Sequence, residues 1–474
     1  MRSSSKQAYF WLLLIWGLSL LLRWDGPYRT PGGAHFWLSA QSLQTMEIWT
    51  QEGIRSYTGN QVETYPTSAN HGLPISGHTF LSDTAGNYYY TSYPPFGLYL
   101  PYWGHQLLGS SASVWSLRCF SLLLYSICLY LMYKLLAAFC KSDWAFIGTA
   151  AFAFSPGPLY YLSHLYFSDM LALVWLFLLL LLIQGQISGT NRWGWIALIN
   201  FCACYTEWLG MLFALFAGIW LTWRYQDRRW FWVMGTSGLL ALGLCIWQYS
   251  QIAGLEALLQ QWAGRLDNQS GLGLPLWRSL GFGFALNQFR NYAGLLLLLP
   301  LIWILTWQKG PKGIPTILIL AGFAPFLHQL LFLGFGYLHD FAGLKSGAFW
   351  TILLVWRSQS LDLRQSKNQI VLSLCGLALI AFGTYRYHQY VGVEDDNIAL
   401  GQHLSQLLQE DDPQQDCRLW IDREPNPILH YYLKRNLGWW KEGEAYTHLD
   451  PLDCELLIKT QDLSQPTIHR LHEK

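Results

Sequence analysis

The chain has 474 residues, 52% of them hydrophobic and only 12% charged, with mean hydropathy +0.19. That balance lies outside the usual range for soluble domains and points to a membrane protein. Lys and Arg number 30 against 29 Asp and Glu, a formal net charge of +1 with no basic run, which gives no reason to expect a nucleic-acid partner.

Arg2 and Lys6 precede a first apolar run, 8–22, and no small-x-small cleavage pattern comes before Arg23, so the run reads as an uncleaved first span. A polar stretch, 23–113, follows at once. It carries Asp25, His35, Glu47, Glu63, His71, His78 and Asp83 among aromatics and closes on the turn-forming block Tyr93-Pro94-Pro95-Phe96-Gly97. So long a non-spanning segment directly after a first helix suggests something built on one face of the bilayer. The 96–108 run is short and contains Pro101, so it reads as an interfacial or re-entrant helix. Apolar runs near 114–137, 143–162, 169–184, 193–207, 209–223, 230–248, 292–307, 314–336, 343–356 and 369–387 are each close to the ~20 residues that cross a bilayer. With the first run they predict an α-helical polytopic membrane protein of about eleven transmembrane helices.

Lys134, Lys141, Arg192, Arg224, Arg228, Arg229, Lys309, Lys312, Arg357, Arg364 and Lys367 fall in one set of alternate loops, whereas the opposite short loops contain only Lys345. Positive residues stay on the cytoplasmic side, so the N-terminus is expected inside and the C-terminus outside. The large first outer loop 23–113, a second large loop 249–291 and the tail 388–474 then share the outer face. The tail shows helical periodicity at 397–410 and 427–436 and strand-like runs at 417–422 and 454–458, a small C-terminal α/β domain beside a transmembrane domain of 1–387. Seven of the nine cysteines lie in or beside predicted spans. Cys417 and Cys454 lie in the tail, where a disulfide and free thiols are both open.

The order of these parts, with several local motifs, resembles the GT-C glycosyltransferases that take a sugar from a polyprenyl-phosphate carrier, among them the protein O-mannosyltransferases and lipid A aminoarabinose transferases. The motifs are Asp83-x-x-Gly86-Asn87-Tyr88 leading to Tyr93-Pro94-Pro95, Leu117-Arg118, Ser155-Pro156, Ser168-Asp169, Thr206-Glu207-Trp208, Tyr337-Leu338-His339-Asp340-Phe341 and Pro427-Ile428-Leu429-His430-Tyr431-Tyr432. The likeness covers nearly the whole chain, and each motif is short. It implies an integral membrane enzyme, in a bacterial-type inner membrane, that glycosylates a lipid, glycan or protein on the outer face. One departure stands out. An acidic pair opens the family's first-loop amphipathic helix and supplies the expected base, whereas this chain has Thr30-Pro31-Gly32-Gly33-Ala34-His35. Asp25, His35 or another loop acid then takes over the task, or the chain is a non-catalytic relative such as a lipid-linked glycan flippase or assembly factor.

The chemistry explains the residue types. Attack on an anomeric carbon needs a carboxylate or imidazole to take the acceptor's proton, for which Asp25, His35 and Asp169 are candidates. The phosphate leaving group needs cations or donors, for which Arg118, Arg265, Arg278, Arg290, His339 and Lys345 qualify. Asp169 is an ionisable group at membrane depth beside His164, Glu207 lies between two apolar runs, His339-Asp340 sets an imidazole beside an acid on the outer face, and Asp83 and Tyr93 border the place where a sugar would sit. Each has a plainer reading: Asp25 as an interface marker, His35 as a cap, Asp169 as a charge favoured at a helix start, Glu207 as a turn residue, His339 and Asp340 as a simple connection. Carboxylates with imidazoles can also hold a divalent metal, but no His-x-x-x-His spacing occurs.

Overall fold

The computed structural model describes residues 5–23, 33–66, 80–108, 113–270, 275–306, 313–362, 365–393, 395–412, 417–423, 426–440, 454–460 and 466–470. Asp25, His71 and His78 lie outside them. In chain order come helices α1 (Ser5–Leu21) and α2 (Phe36–Glu52), strands β1 (Phe80–Ser82) and β2 (Tyr88–Tyr90), then α3 (Phe96–Leu108), α4 (Val114–Ala137), α5 (Ser142–Ala153), α6 (Pro156–Tyr161), α7 (Phe167–Ile187), α8 (Trp193–Cys204), α9 (Trp208–Tyr225), α10 (Arg229–Ala253) and α11 (Leu255–Ser270). The short α12 (Leu276–Arg278) leads through a π-helical stretch into α13 (Asn287–Leu305), followed by α14 (Thr316–Leu331), α15 (Leu333–Leu338), a 3-10 turn (Asp340–Ser346), α16 (Gly347–Ser358) and α17 (Ser366–Val391). Last come α18 (Asp396–Asp411), β3 (Arg418–Ile421), α19 (Pro427–Leu433), β4 (Gly438–Trp439), β5 (Glu455–Lys459) and β6 (Thr467–Arg470).

Five helical segments among the described residues are long and apolar enough to cross a membrane: α4, α7, α10, Gly283–Leu305 and the segment that holds α17. Tyr9–Leu21, Trp193–Cys204 and Thr316–Leu331 are apolar but shorter. Large side chains such as Phe10, Leu13, Trp232, Leu239 and Leu374 are exposed on these helices, an arrangement that water penalises and lipid does not. The protein is an integral membrane protein. The expected loop 249–291 is instead mostly helical, from the end of α10 through α13.

The residues form two compact units. The first gathers Met1–Tyr28, Trp115–Leu244 and Leu266–Tyr390. Within it α13 carries a polar row in an apolar helix. Asn287 donates to the carbonyls of Gly336 and His339 at 3.0 Å and accepts from Gly343 N–H, and Asn291 donates to Asp340 O at 2.6 Å. Tyr292, where α13 departs from helical φ/ψ, donates to Leu344 O. These bonds satisfy backbone groups that hydrocarbon would leave unpaired, and they fix the 3-10 turn ahead of α16.

The second unit gathers Arg29–Val114, Cys245–Arg265 and Val391–Lys474. Its four-stranded sheet has the order β4-β3-β5-β6, with β3 parallel to β4 and β5, and β6 antiparallel to β5. Leu400, Leu404 and Leu408, spaced to share one face of α18, pack with Leu429 and Leu433 of α19 over Leu419, Ile421, Leu456 and Ile458. Asp395 caps α18 and Asn426 caps α19, with Pro427 at the first position of α19. Cys417 and Cys454, each just ahead of a strand, are joined by a disulfide. Helix α2 is buried along most of its length. Phe36 and Ala40 pack against Ile428 of α19, while Gln44, Thr45 and Trp49 donate to the carbonyls of Glu63, Val62 and Asn60.

Candidate active site

Four helix ends of the first unit meet at one buried ionic cluster. Asp169 sits in the first turn of α7 and Glu207 is the N-cap of α9. Lys345 lies in the 3-10 turn before α16, and His328 in the last turn of α14. The Lys345 ammonium is 3.1 Å from Asp169 Oδ1 and 2.8 Å from Glu207 Oε1, and His328 Nε2 is 3.2 Å from the same Glu207 oxygen. The other Glu207 oxygen accepts from Leu209 N–H at 2.6 Å, so the plain capping role and the ionic role coexist in one side chain. All four residues are at most 4% exposed.

The helix dipoles explain part of this choice. Carboxylates are favoured at the N-termini of α7 and α9, and an imidazole at the C-terminus of α14. Lys345, just ahead of α16, stands at a disfavoured end and is compensated by two carboxylates. A buried cluster of this kind contributes little net stability, and because Lys345 pairs with both acids, the Lys345–Glu207 pair remains when the Asp169 charge is removed. Two acids, one lysine and one histidine held dry at converging helix ends are an expensive set to keep for packing alone.

The 3-10 turn carries a second group. Asp340 accepts from the hydroxyls of Tyr161 and, at 2.8 Å, Tyr390, whose ring stacks on Tyr160 and lies under the Arg386 guanidinium. The His339 ring stacks on Phe341 and meets Phe335 edge-on. His164 and Arg118 are buried in the same unit, and the His164 carbonyl accepts from Ser121, one turn beyond Arg118. Arg278 is exposed, its guanidinium over Trp277, and Arg290 is exposed on α13.

The remaining sequence candidates belong to the second unit. Asp83 closes the β1–β2 hairpin. It accepts from Ala85 N, Asn87 N, Asn87 Nδ2 and the Tyr89 hydroxyl at 2.7–2.9 Å. Burial pushes its carboxyl up, and these four bonds together hold it below its ordinary value. Tyr93 offers its carbonyl to the Tyr249 hydroxyl. His35 is the N-cap of α2 in left-handed conformation, φ 58°, after Gly33 and Ala34. Arg265 is buried with its guanidinium 5.0 Å from the centre of the Tyr90 ring.

Sequence reasoning thus named Asp169, Glu207 and Lys345 singly, and the structure brings them together. It missed His328 and the Asn287-Gln288-Asn291 row, although polar groups inside an apolar run were the available signal. Among the described residues no group of three His, Cys, Asp or Glu side chains could hold a metal ion.

No protein-family model and no curated protein matches the sequence. Solved structures do. ArnT from Cupriavidus metallidurans bound to undecaprenyl phosphate is 13% identical with TM-score 0.62, over 97% of this chain and 94% of that one. The archaeal oligosaccharyltransferase AglB from Archaeoglobus fulgidus, in complex with an inhibitory peptide and a dolichol-phosphate, is 12% identical with TM-score 0.57, over 92% and 65%. The arabinofuranosyltransferase AftD from Mycobacteria is 15% identical with TM-score 0.50, over 90% and 33%. All three are GT-C glycosyltransferases, and the fold of this chain is the GT-C fold.

Proposed function

We propose that the protein is an integral membrane glycosyltransferase that moves a sugar from a polyprenyl-phosphate carrier to a lipid, glycan or protein acceptor on the non-cytoplasmic face. The observation that carries this reading is the convergence of Asp169, Glu207, Lys345 and His328 inside a GT-C fold. In the transfer an acceptor oxygen or nitrogen bonds to the anomeric carbon as the bond from that carbon to the phosphate oxygen breaks. The acceptor's proton passes to a carboxylate, and polyprenyl phosphate departs. In our reading Asp169 orients the acceptor, Asp25 is the first choice of base with His35 behind it, and the buried arginines and His339 serve the phosphate side. Lys345, shared between two carboxylates, is a positioning residue that holds Asp169 in place. The disulfide between Cys417 and Cys454 supports an oxidising, outer location for the tail.

The test is Asp169→Asn in the purified full chain, assayed with polyprenyl-phosphate sugars. Transfer should fall on the order of 100-fold, while carrier binding and thermal stability stay close to wild type. Equal loss of folded protein would mark Asp169 as a structural helix-end charge. A wild-type protein that binds carrier yet transfers nothing would favour the flippase or assembly reading, which the glycine and alanine ahead of His35 allow.

A further inference from the structure

Helix α11 exposes three leucines on one strip. Leu255, Leu259 and Leu266 are 50%, 50% and 53% exposed, and at roughly 100° per residue they fall within roughly 40° of the helix circumference. Glu256, Gln260 and Asp267, also exposed, share a second strip about 100° further round. The remaining side belongs to the protein: Leu258 and Arg265 are buried, Gln261 and Trp262 half-buried. An apolar strip thus separates a protein flank from a polar flank. The protein flank holds the chain just ahead of the Pro94-Pro95 turn. The Thr91 hydroxyl donates to Gln261 Oε1, Trp262 Nε1 donates to Thr91 O at 3.2 Å, and the Arg265 guanidinium lies 5.0 Å from the centre of the Tyr90 ring.

The depth of α11 follows from α10. That helix has membrane-spanning composition over Arg229–Ala253, 25 residues, and is about 38 Å long at 1.5 Å per residue. A bilayer with its headgroups measures ~40–45 Å. With the exposed Arg228 and Arg229 in one headgroup layer, Ala253 lies in the other. Exposed Trp232, Leu239, Leu240 and Trp247 mark the lipid-facing side of α10, and Trp247, near its end, suits the aromatic belt. Gly254, at φ 86°, ends the helix, and α11 starts at the next residue. Leu255 therefore stands at headgroup depth, continuous with a surface that lipid already covers.

We propose that α11 is an interfacial helix whose leucine strip lies in the boundary between headgroups and acyl chains of one leaflet, and that it holds the Tyr90–Tyr93 segment at the height of the lipid surface. Such a strip needs to sink only ~5–10 Å into that boundary. Three half-exposed leucines supply far less than the ~800 Å2 per side of a stable protein contact. Arg265, the single cation of α11, is buried, and the polar flank carries Glu256 and Asp267. The seat is therefore apolar and gains nothing from anionic lipid. It stands whether or not the protein transfers sugar.

Photo-cross-linking of the full chain in phosphatidylcholine nanodiscs tests this, with p-benzoylphenylalanine replacing Leu239, Leu259 or Gln260 singly and adducts read by mass spectrometry of the intact protein. Leu239, on the lipid-facing side of α10, is the positive control. Lipid adducts from the Leu259 replacement should approach those from Leu239 and exceed those from the neighbouring Gln260 on the order of tenfold. Phosphatidylglycerol added to the discs should leave the yield unchanged. Equal yields from Leu259 and Gln260 overturn the proposal, as do cross-links from Leu259 to a second copy of the chain in place of lipid, or a yield that climbs with phosphatidylglycerol. In the same discs, the double variant Leu255→Glu, Leu259→Glu should speed amide hydrogen exchange across Tyr88–Tyr93 several-fold while α18 exchanges as in wild type. Unchanged exchange across Tyr88–Tyr93 overturns the holding role.

Discussion

Glu63 shows how a single side chain sets a pH response. Its carboxyl is buried, accepts from Gln61 Nε2 at 2.7 Å, and is pushed by burial up to about 8 from 4.5, with Gln61 and Arg265 pulling the other way. Across that window the folded state keeps a proton that the unfolded chain has released, so stability falls as pH rises from about 4.5 to about 8. His430, pushed by burial down to about 4 from 6.5, works in the opposite sense, because the folded state refuses a proton that the unfolded chain takes. Melting curves across pH 4.5–9 for wild type and Glu63→Gln should therefore diverge progressively from about pH 4.5 to about 8, with the variant the more stable at pH 9. Superimposable curves would show that Glu63 is not the titrating group. At this scale Asp169, Glu207 and Lys345 were legible because charge at membrane depth is rare and costly. Their mutual contacts were not, since Glu207 and Lys345 lie 138 residues apart. His328 escaped because the apolar run around it read as an unbroken span, and nothing local ties it to an acid 121 positions away.

The elements were read well where their signals are local. The tail helix expected at 397–410 runs Asp396–Asp411. Strand β6 and the two-residue β4 were missed, because so short a strand is defined by its neighbours rather than by its own pattern. The burial of α2 was also hidden: its cover comes from α19, far along the chain. Asn436 makes that link specific by accepting from Tyr65 N–H at 2.8 Å and donating to Tyr65 O at 3.0 Å, all buried. Asn436→Ala strands both backbone groups and should cost about 2 kcal/mol. Limited proteolysis of the tail should accelerate accordingly, and an unchanged cleavage rate would show that the loop and tail hold together without this bridge.

For the whole molecule, the alternating charges and the tail disulfide make one joint prediction. Reporter fusions should place Lys141 and Arg228 in the cytoplasm, and Asp83 with the disulfide-bearing tail outside. A cytoplasmic tail would undo both the orientation and the proposed outer-face chemistry. The GT-C architecture was readable from the order of apolar and polar stretches, whereas the way loop and tail complete one another was not. That completion also sets a clock. Tyr65 and Asn436 are 371 residues apart, and at roughly 5–20 residues per second a ribosome needs roughly 20–75 s to make the interval. Helix α2 spends that time with Phe36 and Ala40 lacking Ile428, so a nascent chain carries an unfinished apolar face from its first seconds on the membrane until its last strands emerge.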